Sequence, residues 1–298
     1  MEKKIRKVAV VGTGFLGTQI AILAAYFNCE VSAYDPDEGS FNRVIQNLET
    51  YIKISRRKPI LPMEDWKKEA DKVTFSKELE EALRDADLVI EAVPEDLELK
   101  REVFERLDAL TPRGSLLATN SSSIPISKIE SATARPEQCL NIHFNSPATG
   151  NNIVEIMGGT RTTTETIEAA ETWIRSIGCI PITVKKEIFG FCINRVWRAI
   201  KREALYMWAE GFVDFRDIDR SWMIFTGMTS GPFGLMDAIG LDVVYGIEMV
   251  YYNEYKDPKD YPPEALKAMV DRKELGLKTN KGFYIYPDPE YTRPDFIK

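Results

Sequence analysis

The spacing of apolar and polar positions changes character once along the chain, near residue 190. Before that point, short apolar runs alternate with stretches of helical spacing; beyond it, helical spacing continues alone. Lys7 to Val11 is a β-branched run, and Leu16, Ile20, Leu23, Ala24 and Phe27 then recur at the helical interval. Glu30 to Asp35 reads as a second strand. Residues 41 to 71 read as helical until Pro59 and Pro62 break the pattern. Further strands are expected at 73–75, 87–93, 115–119 and 180–184, with helices at 78–84, 97–110 and 164–177. From Phe191 onward, Ile193, Val196, Trp197, Ile200, Ala204 and Met207 keep a period near 3.6. Strand–helix alternation followed by helices alone predicts a doubly wound α/β domain and then an all-helical one.

Residues 139 to 157 stand out within this pattern. Leu140, Ile142 and Phe144 alternate with Asn141, His143 and Asn145, a period of two, while Ile153, Val154, Ile156 and Met157 surround Glu155 without alternation. The second run has the look of a strand covered on both faces. Pro147 and Gly150 lie between the runs and let the chain double back. A return centred near Thr149 sets residue 143 opposite residue 155 on one face. His143 is the only histidine in 298 residues. A carboxylate in an apolar strand is costly unless it is paired, and the ring N–H of His143 is the natural partner. That bond would fix the tautomer and leave the other nitrogen to accept a proton. A structural His–Glu pair, or a Glu reaching solvent at a strand end, fits the same residues.

Composition narrows the class. Hydrophobic residues make up 44% of the chain, enough for a substantial core, and the net charge of −7 argues against nucleic acid as a partner. Cys29, Cys139, Cys179 and Cys192 lack metal-ligand spacing and are expected to be buried free thiols. With one histidine, no metal site is expected. No signal peptide or membrane-length apolar run is apparent, so a cytoplasmic protein with no membrane partner is expected. The basic run Arg56-Arg57-Lys58 is read first as a solvated face and second as a contact for substrate phosphates. Residues 287 to 298, polar and Pro-punctuated, are expected to be loosely held.

The first strand runs directly into Gly12-Thr13-Gly14-Phe15-Leu16-Gly17, the next helix follows, and Asp35 ends the second strand. In that context the glycines form a dinucleotide-binding turn. Gly12 permits the turn, Gly14 lets a pyrophosphate approach, and Gly17 lets the helix pack on the sheet. The helix N-terminus supplies N–H donors for the phosphates. Asp35 suits ribose hydroxyls and opposes a 2′-phosphate, so NAD is favoured over NADP. Glu95 lies just past the carboxyl end of the 87–93 strand, where open α/β sheets bind ligands. Asn120-Ser121-Ser122-Ser123 follows the next strand and is read as a turn or a substrate clamp.

With these motifs in place, the chain resembles the L-3-hydroxyacyl-CoA dehydrogenase family from about residue 5 to about residue 286. The likeness rests on the Gly12 to Gly17 turn with Asp35, Asp87 to Glu95, Asn120 to Ser123, and His143-Phe144 with Glu155. It continues through Gly190 to Arg195, Gly231 to Asp237, Gly240 to Asp242 and Lys278 to Tyr284. The resemblance implies an N-terminal Rossmann-type NAD-binding domain over residues 1–187. A helical domain over 188–298 would carry the substrate cleft and a homodimer surface. It implies a catalytic His143–Glu155 dyad, with Ser122 and Asn194 placing the substrate. Gly12, Gly14, Phe15, Leu16, Gly17, Asp35, Glu95, Lys100 and Asn120 are the implied NAD contacts.

The implied reaction is NAD-dependent interconversion of an L-3-hydroxyacyl-CoA and a 3-ketoacyl-CoA. The chain departs from the family pattern His-Phe-Phe-Asn-Pro with His143-Phe144-Asn145-Ser146-Pro147, and it carries Thr149, Asn151 and Asn152 beyond. Phe189 stands where a proline precedes Gly190 in the family. These departures suit a smaller, more polar non-CoA hydroxy acid or alcohol as the alternative substrate. A non-catalytic NAD-binding protein is a third reading, which the intact set of site residues opposes.

Overall fold

A computed structural model of the chain describes residues 4–55 and 58–298. Arg56 and Arg57 of the basic run therefore lie outside the described residues, and Lys58 is exposed. The chain divides into two compact units, Met1–Cys192 and Ile193–Lys298.

The first unit is built in the order β1 (Lys7–Val11), α1 (Phe15–Tyr26), β2 (Glu30–Tyr34), α2 (Ser40–Ser55), α3 (Met63–Ala70) and β3 (Thr74–Phe75). It continues with α4 (Leu79–Leu83), β4 (Leu88–Glu91), α5 (Leu97–Leu110), β5 (Leu116–Thr119), β6 (Cys139–Phe144), β7 (Ile153–Gly158), α6 (Thr164–Ser176) and β8 (Ile180–Val184). The helical stretch expected over 41 to 71 is thus two helices. Pro62 is the N-cap of the second, where a residue without an N–H costs no helical bond. The eight strands form one sheet in the order β3-β2-β1-β4-β5-β6-β7-β8. Every neighbouring pair is parallel except β6 with β7.

Period-two alternation divides the side chains between two apolar clusters, one on each face of the sheet. Val8, Val10, Leu88, Ile90, Leu116, Ala118, Leu140, Ile142, Val154 and Ile156 join one with α1 and α6; Ala9, Val11, Val89, Leu117 and Cys139 join the other with α4 and α5. On the second face the cluster reaches β6 only at Cys139. The next inward positions there are Asn141 and His143, so that face turns polar toward the carboxyl end of the strand.

The second unit contains α7 (Ile193–Ala209), α8 (Phe215–Thr226), α9 (Pro232–Ile239), α10 (Leu241–Tyr255) and α11 (Glu264–Asp271). Leu205, Phe233, Met236, Leu241, Val244 and Leu266 are at its centre. The C-terminal residues correct the expectation of a loose tail. Phe296 is buried and joins this core, Arg220 Nε donates to its carbonyl at 2.6 Å, and Tyr291 packs edge-on against Tyr284 with centroids 4.9 Å apart. Apolar burial that short-range composition does not reveal holds the tail.

The thiols also need correction. Cys139 and Cys179 are buried, but Cys29 is half-buried and Cys192, in the turn just before α7, is exposed. Burial pushes the Cys139 and Cys179 thiols up to about 12, which makes them inert. Among the described residues no helix is long and apolar enough to cross a membrane, and no cluster of metal-ligating side chains occurs.

Candidate active site

The turn after β1 is shaped by two glycines. Gly12 holds φ at +97°, in the left-handed region, and a Cβ there would meet the Ala92 carbonyl at 2.6 Å. A Cβ on Gly17 would fall 1.9 Å from the Gly12 carbonyl, so only glycine lets α1 lie this close to the turn. At Gly14 the same construction meets nothing within 4 Å. That open position faces the start of α1, whose first turn has no acidic residue and whose N-cap, Gly14, contributes no side-chain bond. A helix end left in this state suits an anionic ligand. Asp35 follows β2 directly, its Oδ2 accepting from Thr13 N at 2.7 Å and its Oδ1 from Asp37 N at 2.9 Å. Glycine turn, bare helix end and acid together fit a dinucleotide.

The acids at the neighbouring strand ends form a second group. Glu91, fully buried at the end of β4, accepts from Lys100 Nζ at 2.7 Å, from Thr119 Oγ1 at 2.7 Å and from Val93 N at 2.7 Å. Burial raises its pKa above the ordinary value, against the pull of Lys100 and the hydrogen bonds. The Lys100 ammonium is itself buried and also lies 3.4 Å from Glu95 Oε2. Glu95 Oε1 accepts from the Ser121 hydroxyl and from Ser123 N at 3.0 Å. Burial pushes Glu95 up, but those serines and Lys100 outweigh it and leave the carboxyl below its usual range. Glu95 therefore organises the serine loop on which Ser122 is exposed. Asn120 Oδ1 accepts from Phe144 N at 2.8 Å, joining the end of β5 to the residue after His143.

The strand register sets His143 opposite Glu155. His143 Nδ1 lies 3.1 Å from Glu155 Oε2; the histidine is 4% exposed and the glutamate 0%. A carboxylate only accepts, so Nδ1 carries the hydrogen and the lone pair of the neutral ring is on Nε2. Nε2 has no hydrogen-bond partner among the described residues. The other carboxylate oxygen, Oε1, accepts from Cys192 N at 2.8 Å. The ring of Phe191 is stacked on the imidazole, with centroids 4.8 Å apart and planes inclined by 23°. The turn between β6 and β7 is tied to α1 through Gln19, whose Oε1 accepts from Ser146 Oγ and Ala148 N, each at 2.9 Å.

His143, Glu155, Glu95, Lys100, Asn120, Ser122, Asp35 and the glycine turn all belong to the first unit, while Asn194 is the second residue of α7 in the second. Sequence reasoning missed Glu91, Gln19 and Phe191. Glu91 carried the same signal as Glu155, a carboxylate within an apolar run. Gln19 and Phe191 carried none, since their partners come from remote segments.

Comparisons with known proteins identify the family. Residues 7–188 match the family model described as 3-hydroxyacyl-CoA dehydrogenase, NAD binding domain, and residues 190–286 match its C-terminal domain. The chain is 33% identical over 285 residues to a 3-hydroxybutyryl-CoA dehydrogenase of Clostridioides difficile, covering 94% of this chain and 99% of that one. It is 30% identical over 293 residues to a 5-formyl-3-hydroxy-2-methylpyridine 4-carboxylate 5-dehydrogenase of Mesorhizobium japonicum, covering 97% and 93%. The solved structure of a diketoreductase acting on dicarbonyl compounds superimposes with a TM-score of 0.83 at 33% identity, covering 95% of this chain and 100% of that one.

Proposed function

From membership of the 3-hydroxyacyl-CoA dehydrogenase family, to which this NAD-dependent oxidoreductase belongs, we infer that it interconverts an L-3-hydroxyacyl-CoA and the 3-ketoacyl-CoA. The observation that carries this reading is the buried 3.1 Å contact between His143 Nδ1 and Glu155, with Nε2 left without a partner among the described residues. Nε2 takes the proton from the substrate hydroxyl, and Glu155 stabilises the imidazolium that results. Bound NAD supplies the hydride acceptor. Ser122 donates to the reacting oxygen, and Asn194 orients it. Gly12, Gly14, Phe15, Leu16 and Gly17 hold the pyrophosphate, and Asp35 takes the ribose hydroxyls. Glu95, Lys100 and Asn120 shape the nicotinamide end, the first two by fixing the serine loop.

NADH oxidation with acetoacetyl-CoA, followed beside a panel of free hydroxy acids, tests the substrate class. Turnover of short acyl-CoA thioesters is expected, and its complete absence would remove this reading. His143→Gln should lower kcat about 100- to 10,000-fold and spare NAD affinity; equal loss of both would mark the histidine as structural.

A second reading, a smaller polar hydroxy acid or alcohol, is favoured by one observation. Asn145, two residues beyond His143, has a buried Nδ2 with no hydrogen-bond partner among the described residues. A buried donor without an acceptor is costly, and a polar substrate oxygen would satisfy it. The pyridine carboxylate and dicarbonyl relatives lend the reading support.

The second unit also supports a homodimer. Val243, Ile247 and Val250 fall at helical spacing along α10 and are 44%, 39% and 48% exposed, while Phe225 on α8 is 88% exposed. Sedimentation should give twice the 33.9 kDa chain mass; a monomer at micromolar concentration would count against it.

A further inference from the structure

We propose that Phe191 is a positioning residue for the reaction: its ring lies flat on His143 and holds the imidazole in the orientation from which Nε2 meets the substrate. The inference rests on the reading of His143 as the proton acceptor.

Phe191 has φ +53°, a left-handed conformation that a bulky L residue rarely adopts, and it follows Gly190 at φ +84°. Strain of this kind persists only where surrounding contacts hold it, and it concentrates at functional sites. Those contacts are present. Ser127 Oγ donates to Glu187 Oε1 at 2.7 Å, Ile188 N to Met157 Sδ at 3.3 Å, and Cys192 N to Glu155 Oε1 at 2.8 Å. Met157 and Glu155 are two residues apart on β7 and share a face. The segment from 187 to 192 is therefore fastened to the face that carries the dyad.

Phe191 is 2% exposed, yet it belongs to none of the three apolar clusters found among the described residues. Its aromatic neighbour is the imidazole, 4.8 Å away and inclined by 23°. The hydrogen bond from Nδ1 to Glu155 restrains the imidazole at one edge, and the freedom left to it is a limited rocking about its Cβ–Cγ bond, a broad torsion in histidine. A flat ring on one face removes that freedom and keeps water from that face. The electron-rich face of the phenyl ring also favours the positive charge that the imidazole gains with the proton. The same strained turn presents the Cys192 N–H to the Glu155 oxygen that His143 does not use. One turn thus steadies both members of the dyad.

The test separates this role from simple packing. Phe191→Leu keeps an apolar side chain of similar bulk and removes the flat ring; Phe191→Tyr keeps the ring, with Phe191→Trp as a second ring-bearing variant. With the substrate that the panel identifies, Phe191→Leu is expected to lower kcat about tenfold or more, since small misplacements of reacting groups are costly. KM and NAD affinity should stay near wild type, and a ring-bearing variant should recover most of the rate. A second readout needs no activity. His143 is the only histidine, so histidine-labelled protein gives a single set of imidazole NMR signals. Those signals should lose their ring-current shift in Phe191→Leu and keep it in the ring-bearing variants. Wild-type kcat in Phe191→Leu would overturn the proposal. So would an unchanged imidazole spectrum, or a fall in kcat matched by equal falls in NAD affinity and thermal midpoint. Failure of the wild-type protein to turn over any substrate would instead sink the functional reading, with the spectrum still reporting on the ring contact.

Discussion

Among the described residues each unit holds two carboxylates at 0% exposure, and these two pairs keep different company. In the first unit, Glu155 faces the imidazole of His143 and Glu91 faces the ammonium of Lys100, partners whose charge can change or must be balanced. In the second, Asp219 accepts from Phe233 N at 2.8 Å, Gly234 N at 2.9 Å and Tyr284 OH at 3.0 Å. Asp237 accepts from Phe283 N at 3.0 Å, Tyr284 N at 2.8 Å and Tyr286 OH at 3.1 Å. These aspartates stitch α8, α9 and the 283–286 segment together. Glycines clear the way for them: a Cβ on Gly231 would meet the Asp219 carboxyl carbon at 2.4 Å, and one on Gly282 would meet Asp237 Oδ1 at 2.1 Å. Burial alone therefore does not mark a carboxylate as catalytic. Glu155 differs in its partner, an imidazole that can exchange a proton through its second nitrogen.

The largest effect that could break this contrast is in the first unit. Glu155→Gln keeps an acceptor for Nδ1 but removes the charge that balances the imidazolium. It should lower kcat about 100- to 10,000-fold while the thermal midpoint changes little. A variant with full activity would place Glu155 with the structural acids.

The counterpart in the second unit should respond the other way. Asp219→Asn offers one acceptor oxygen where two were used, leaving a buried donor unsatisfied. A loss of about 1–3 kcal/mol in unfolding free energy is expected, read from the urea midpoint, with kcat near wild type. A catalytic collapse without loss of stability would erase the distinction.

The smallest effect, taken per pH unit, is a dependence on pH. Burial pushes both Asp219 and Asp237 up from 3.8 to about 6, against the backbone N–H bonds and tyrosine hydroxyls that pull them down. Between those values the folded chain holds protons that the unfolded chain has released. The stability these carboxyls contribute is full below about pH 4 and is lost as pH rises through about 6. Within that window each should lower the unfolding free energy by at most about 1.4 kcal/mol per pH unit. Comparing the pH slopes of wild type and Asp237→Asn isolates one such contribution. Identical slopes would show that the carboxyl is ionised throughout.

Much of the first unit was legible because its signals are local. β-branched runs, the glycine turn and the acid ending β2 lie within 35 residues of the N-terminus. The dyad was legible for a related reason: two strands joined by a short return have their register fixed by the turn, so residue 143 had to face residue 155. The helical unit was legible as helices but not in its packing. The anchoring of Phe296 depends on Arg220, 76 residues away in sequence.

Order and spacing of residues determined the strand–helix alternation, the dinucleotide turn and the pairing of histidine with glutamate. Each follows from periodicity or from a short connection whose geometry permits few alternatives. Only the tertiary structure decided that Lys100 serves a buried Glu91, that Gln19 ties the β6–β7 turn to α1, and that a strained phenylalanine covers the imidazole. Those contacts are made between different elements once they pack, and no local pattern records which side chains will meet.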